Sequence, residues 1–172
     1  MFSEYTILLV EDDKNMQEYM KQILADECRA LYIANDGKEG LEKYKLHQPD
    51  LVITDLNMPK MNGIIMSKEI KKESCNQPII LLSAFGEIDE LQEAINIGLN
   101  AFISKPLEKI DLLFSIIEKQ FKQLKYIKEV NRIKEIEKEQ EEKVSSLIGE
   151  ILYDDHKYVN YEFLSTQWNK EQ

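Results

Sequence analysis

The sequence predicts an α/β fold: a five-stranded parallel, doubly wound sheet of strand order 2-1-3-4-5 with a long C-terminal helical extension. Three observations predict it. Aliphatic runs too short for helices recur five times, segments with helical apolar spacing lie between them, and the last helical stripe runs past residue 120 with no Gly or Pro to stop it. Buried strands that alternate strictly with amphipathic helices need crossover connections, and those cover both faces of a parallel sheet. The stated order is a common solution for five strands, with strands one and three adjacent at the topological switch.

The first run, Ile7 to Val10, reads as a strand, and Met16, Tyr19, Met20, Ile23 and Leu24 behind it mark one helical face. Ala30 to Ile33 gives the second strand, with Leu41 and Tyr44 at helical spacing after it. Leu51 to Ile53 is the third, followed by Met66 and Ile70. Ile79 to Leu82 with Ile88, Leu91 and Ile95 makes the fourth pair, and Ala101 to Ile103 with Leu107, Ile110, Leu113 and Ile117 the fifth. The unit closes near residue 120, which divides the chain into a domain over 1-120 and an extension over 121-172.

In the extension, Phe121, Leu124, Ile127, Val130 and Ile133 prolong the last stripe. Lys134 to Lys143 holds one apolar residue, Ile136, before Val144, Leu147, Ile148 and Ile151 resume it. The pattern suits a coiled coil, although steps of three are overused between Leu124 and Ile133 and the heptad is imperfect. Tyr153 to Trp168 is aromatic-rich without a clear period and supports no assignment, and Asp154-Asp155-His156 reads as a polar turn.

At 43% hydrophobic and 31% charged, the 172 residues can bury a core, which excludes a disordered or low-complexity chain. The net charge of −10 repels a phosphate backbone or anionic lipid, and the extension, with 9 basic and 11 acidic residues, is no basic arm. Direct nucleic-acid binding by this chain and membrane association are therefore not expected. No apolar run approaches the roughly 18 residues of a membrane span, so a cytoplasmic location is expected. Cys28 and Cys75 lie far apart without metal-ligand spacing and read as free thiols, and His47 and His156 show no partner pattern.

The unusual polar residues of the first domain follow the carboxyl ends of predicted strands, where open α/β sheets form their ligand crevice. Glu11, Asp12 and Asp13 follow the first strand, Asp55 ends the third, Ser83 follows the fourth, and Lys105 with Pro106 follows the fifth. Gathering Glu11, Asp12 and Asp55 concentrates negative charge that a hard cation relieves, and such oxygen ligands suit Mg²⁺ or Mn²⁺. A carboxylate beside such an ion, a lysine and a hydroxyl meet the needs of phosphoryl transfer, with Asp55 as the nucleophile. Singly, each residue has a plainer role: an acidic first helical turn for Glu11-Asp12-Asp13, a cap or turn for Asp55, Asn57 and Ser83, a loop lysine for Lys105 and core for Phe102. Their coincidence at four strand ends favours a common site.

Leu8-Leu9-Val10-Glu11-Asp12-Asp13, Thr54-Asp55-Leu56-Asn57-Met58-Pro59 with Met61-Asn62-Gly63, Leu82-Ser83-Ala84 and Ser104-Lys105-Pro106 resemble the receiver (REC) domain of bacterial two-component response regulators, with its CheY-like, flavodoxin-like fold. The resemblance covers about residues 4 to 120, with the motifs in family order and spacing. It implies that Asp55 accepts a phosphoryl group from a phosphohistidine of a sensor histidine kinase or phosphotransfer protein. It further implies Mg²⁺ (or Mn²⁺) held by Asp12, Asp55 and the backbone carbonyl of Asn57, with Glu11 helping through a water. Ser83, Ala84 and Lys105 would receive the phosphoryl oxygens, and Phe102, where the family often has Tyr, would be the switch aromatic. By the same resemblance, Asn57 and Phe85 would occupy the positions that in such domains modulate the lifetime of the aspartyl phosphate.

The implied function is a phosphorylation-operated switch rather than an enzyme, catalysing only its own phosphotransfer and slow autodephosphorylation. Its output would pass through the fourth helix, fifth strand and fifth helix into an extension that forms a homodimer or links to an output domain. Two alternatives are a receiver-like scaffold that is never phosphorylated and a small phosphohydrolase using Asp55 for turnover. Phosphohydrolases of the haloacid-dehalogenase type want a second acidic residue two positions on, where this chain has Asn57.

Overall fold

A computed structural model describes residues 2–84, 88–99, 101–107 and 109–168, apart from the side chains of 88–91 and 151–168. Its elements are β1 (Phe2–Val10), α1 (Lys14–Leu24), β2 (Cys28–Ala34), α2 (Gly37–His47), β3 (Leu51–Asp55), α3 (Gly63–Glu73), β4 (Ile79–Ser83), α4 (Ile88–Asn96), β5 (Ala101–Ser104) and α5 (Ile110–Trp168). The strands are all parallel in the order β2-β1-β3-β4-β5, which is the predicted topology.

Each aliphatic run supplies both faces of the sheet, because successive strand side chains point in opposite directions. Ile7, Leu9, Ile53, Ile80 and Leu82 join Met20, Leu24, Leu113, Ile117 and Phe121 in one core on the α1 and α5 side. Leu8, Val10, Val52, Ile79 and Leu81 join Tyr44, Ile64, Met66, Ile70 and Ala94 in the other, on the side of α2, α3 and α4. Continuous hydrophobic runs, rather than alternating ones, are what burial on both faces demands.

β1 is longer than the predicted Ile7 to Val10. It begins at Phe2, which pairs with Cys28 across a register shift before Thr6, and the polar Ser3 and Glu4 hide this start in the sequence. Phe2 packs its ring at 5.3 Å from Phe121, and Tyr5 stacks on Phe121 at 4.0 Å and 6°. Farther along, Asp50 Oδ2 accepts from the backbone and hydroxyl of Thr6, both at 3.0 Å, which ties the start of β3 to β1.

The helices that follow β1, β2 and β3 start at capped ends. Asp13 accepts from Met16 N at 2.7 Å, Asp36 from Lys38 N and Glu39 N at 3.0 Å, and Asn62 from Ile65 N at 2.8 Å. On α2, Glu39 takes Lys43 Nζ at 2.7 Å and Asn35 N at 2.9 Å, and these bonds hold its carboxyl down from 4.5 to about 2. A lowered carboxyl contributes stability above its ordinary value and loses it as pH falls through the folded value. Glu39→Gln should therefore cost about 1 kcal/mol near neutral pH, discounted for partial exposure. Urea unfolding at several pH values should show that cost fading as pH falls from 4.5 to about 2.

Two compact units are distinguished, Met1–Lys125 and Tyr126–Gln172. In the first, α5 is anchored by Leu113, Ile117 and Phe121. The second is helical through Trp168, so the stretch that supported no assignment is helix, and Asp154-Asp155-His156 lies within a helix rather than in a turn. Neither Gly nor Pro interrupts residues 150–168, and that absence was the readable helical signal where the apolar period failed. Among the described residues no helix is long and apolar enough to cross a membrane. Cys28 is buried and Cys75 exposed, both as thiols, and His47 stacks on Tyr32 at 3.9 Å.

Candidate functional site

The sheet register sets the strand ends side by side: Val10 lies opposite Thr54, Asp55 opposite Leu82, and Ser83 opposite Ser104. Residues just beyond those pairs therefore converge at one edge. There, carboxylate oxygens of Glu11, Asp12 and Asp55 all lie within 4.8 Å of one another, with Glu11 and Asp55 buried and Asp12 exposed. Lys105 Nζ reaches between them, 2.8 Å from Glu11 Oε2 and 2.9 Å from Asp55 Oδ1.

Burial is the largest influence on Glu11 and raises its carboxyl above the ordinary value, with the Asp55 charge adding to it and Lys105 opposing it. Burial alone would lower the Lys105 ammonium, but its hydrogen bonds to Glu11 and Asp55 and their charges outweigh that and raise it. Lys105 thus stays charged, yet one ammonium does not balance three carboxylates. The hard oxygen donors and the excess negative charge fit a small divalent cation such as Mg²⁺ or Mn²⁺, held by Glu11, Asp12 and Asp55.

The backbone around Asp55 is closely fastened. Leu56 N donates to Asp55 Oδ1 at 2.9 Å, which fixes the plane of the carboxylate. The Thr54 hydroxyl donates to Asp55 O at 3.0 Å, and Gly63 N to Leu56 O at 2.9 Å. A Cβ at Gly63 would stand 2.1 Å from Asp55 O, so only glycine lets α3 begin this close to the end of β3. Across the sheet, Lys105 N donates to Ser83 O at 2.7 Å, and the Lys105–Pro106 peptide bond is cis.

The remaining expected site residues are placed as follows. Ser83 is buried at the end of β4 and Ala84 is exposed after it. Asn57 is exposed in the loop after β3. Phe102 is half-buried on β5 and packs into the core on the α4 side. Phe85 lies outside the described residues. Asp13, of the acidic trio, serves as the α1 cap.

Two features escaped the sequence reading. Gln17 is buried and donates to the Glu11 carbonyl and to Asn35 Oδ1, while Lys14 donates to both Gln17 and Asn35. Its position three residues before Met20 and seven before Leu24 puts it on the buried face of α1, a spacing that could have revealed it. Lys60, in the left-handed region at φ 62°, pairs with the buried Asp36 at 2.5 Å, and Gly37 N donates to Met61 O at 3.1 Å. These contacts fasten the loop after β3 to the start of α2, and no local pattern announces them.

Comparison with known proteins follows the same lines. The chain matches the response regulator receiver domain over residues 7–118. It is 38% identical to the chemotaxis protein CheY of Bacillus subtilis over 113 residues, 65% of this chain and 94% of that protein. It is 41% identical to CheY of Thermotoga maritima over 106 residues, 59% of this chain and 86% of that protein. Among solved structures, a CheY-like receiver domain protein from Methanospirillum hungatei superposes with a TM-score of 0.66 at 31% identity, covering 72% of this chain and 99% of that one. By sequence, topology and the match over most of its first unit, the chain belongs to the response regulator receiver domain family.

Proposed function

We propose that the chain is a phosphoacceptor in a two-component phosphorelay, in which Asp55 receives a phosphoryl group from a phosphohistidine of a sensor kinase or phosphotransfer protein. The observation that carries this reading is the convergence of Glu11, Asp12 and Asp55 within 4.8 Å, with Lys105 bridging Glu11 and Asp55. Such a site needs a nucleophile, charge neutralisation and a clamp on the equatorial oxygens. A divalent ion held by Glu11, Asp12 and Asp55 together with the Asn57 carbonyl would supply the neutralisation.

The chain's own residues do the rest. A carboxylate oxygen of Asp55 forms the new P–O bond as the donor's P–N bond breaks, and the leaving imidazole takes up a proton. Lys105 leaves its ion pair with Asp55 and follows the charge onto the phosphoryl oxygens. Ser83 and the backbone at Ala84 move to bond the same group, and Phe102 turns inward as Ser83 shifts. Added charge and acceptor oxygens bias a two-state surface formed by α4, β5 and α5. Asn57 and Phe85 set how long the acyl phosphate lasts. The extension over 121-172 carries the output, as a homodimer contact, and the protein works in the cytoplasm as a switch rather than a turnover enzyme, without nucleic-acid or membrane contact of its own.

The test is incubation of the protein and of Asp55→Asn with acetyl phosphate, with and without Mg²⁺, followed by intact mass. A phosphoryl adduct that needs Mg²⁺ and is lost in the variant is expected. No adduct on a folded protein would favour the unphosphorylated scaffold, and sustained phosphate release from a simple ester would favour a phosphohydrolase.

A further inference from the structure

The second unit is a helix in which Tyr126, Ile133, Ile136, Val144, Leu147 and Ile148 are between 45% and 72% exposed, while Ile127 and Val130 are half-buried. Written as heptads with Val130 at an a position, the a and d series is Tyr126, Val130, Ile133, Glu137, Gln140, Val144, Leu147, Ile151. That series is mirror-symmetric. Counted inward from both ends, Tyr126 matches Ile151, Val130 matches Leu147, Ile133 matches Val144 and Glu137 matches Gln140.

We propose that the extension binds the same segment of a second copy in the antiparallel orientation, centred between Lys138 and Glu139. The inference rests on the homodimer reading above and adds its geometry. In a two-fold antiparallel pair each a position meets a d position of the other copy, so a mirror-symmetric series sets apolar upon apolar and confines the polar residues to the centre. Over residues 126–151 the seam is about 39 Å long.

Charge decides between the two orientations. Parallel, in-register pairing sets Glu137 against Glu137 of the second copy, two like carboxylates within the seam, and puts Ile136 beside Glu141 and Ile148 beside Lys143, against one favourable flanking pair, Glu129 beside Lys134. Antiparallel pairing sets Glu137 beside Gln140, whose amide donates to it. It also sets Lys134 beside Glu141 and Ile127 beside Ile148, each twice by symmetry. Two contacts stand against it, Glu129 beside Glu150 and Ile136 beside Lys143, and both lie at the rim, where water and salt screen the charges and no like pair enters the seam. The Lys138–Glu142 ion pair, at 3.8 Å, falls on the outward b and f positions and is undisturbed.

The test uses the full chain with the exposed Cys75 replaced by serine, and the variants Ile133→Cys, Val144→Cys and both together, under mild oxidation. Only the double variant is expected to give a covalent dimer on a non-reducing denaturing gel. Cross-linking of either single variant would overturn the antiparallel orientation. A monomer by sedimentation with no cross-link in any variant would overturn self-pairing altogether, while leaving the acetyl phosphate result to judge Asp55 separately. Lys134→Glu should weaken the dimer about tenfold, and adding Glu141→Lys should restore it. Failure of that restoration would also overturn the antiparallel register.

Discussion

Replacing Lys105 by Met is expected to lower stability by about 2 kcal/mol near neutral pH, measured by urea unfolding without divalent cation, with Mg²⁺ returning most of the loss. The substitution keeps the aliphatic stem and removes the ammonium that lies 2.8 Å from Glu11 and 2.9 Å from Asp55. What remains is a pair of buried carboxylates facing each other and an exposed third at Asp12. Removing one member of a buried ion pair costs more than the pair itself contributes, because the survivor has left water without compensation. Lys105 retains 24% exposure, which reduces the figure from the fully buried case.

The pH dependence has a definite sign. Burial raises the Glu11 carboxyl, so the folded protein binds that proton more tightly than the unfolded chain does. Stability from such a group is complete below its ordinary value and lost as pH rises through the raised one. Without Lys105 that rise is larger, so the deficit should grow as pH increases above 4.5 and shrink on acidification. A deficit that is flat in pH would mean that water, not Lys105, screens the carboxylates.

Gly63→Ala is expected to cost about 3 kcal/mol and to abolish acceptance of phosphate from acetyl phosphate. The added methyl would meet Asp55 O at 2.1 Å and the Thr54 hydroxyl at 3.0 Å; the first is backbone, and the second is held by its own hydrogen bond to that same oxygen. Either α3 retreats and breaks the 2.9 Å bond from Gly63 N to Leu56 O, or Asp55 moves out of line with Lys105. Gly149→Ala is the control: a Cβ there meets nothing within 4 Å, and stability should hold or rise by up to about 1 kcal/mol. Equal unfolding midpoints for Gly63→Ala and the parent would refute the close-approach argument.

The sheet was legible because burial on both faces writes an uninterrupted aliphatic run into each strand; the crossover rule made it parallel, and the order 2-1-3-4-5 was the common arrangement for five such strands. The start of β1 was not legible, since Phe2 earns its place through Phe114 and Phe121, far along the chain, while Ser3 and Glu4 interrupt the run. The helix around Tyr153 was not, because its aromatic residues follow no helical period in the sequence. Glu11, Asp12, Asp55 and Lys105 stood out as charges placed just after hydrophobic strands, where a purely structural residue has little reason to be charged. The Lys60–Asp36 pair was hidden for the opposite reason, since a contact between two loops leaves no spacing to read, whereas Gln17 did share the buried-face spacing of Met20 and Leu24 but lacked their apolar character.

The strand order carries a consequence for synthesis. With β1 between β2 and β3, and β4 and β5 added in turn beyond β3, each strand that leaves the ribosome after β3 can dock on an edge already present. That order permits vectorial growth, in keeping with domains that form from the N-terminus during translation. By the time β3 is in place the three carboxylates are assembled, yet Lys105 arrives only with β5. The nascent sheet therefore holds its acidic cluster without its lysine partner until the last strand docks. That late ammonium gives the fifth strand an electrostatic pull of its own and disfavours a domain halted at four strands.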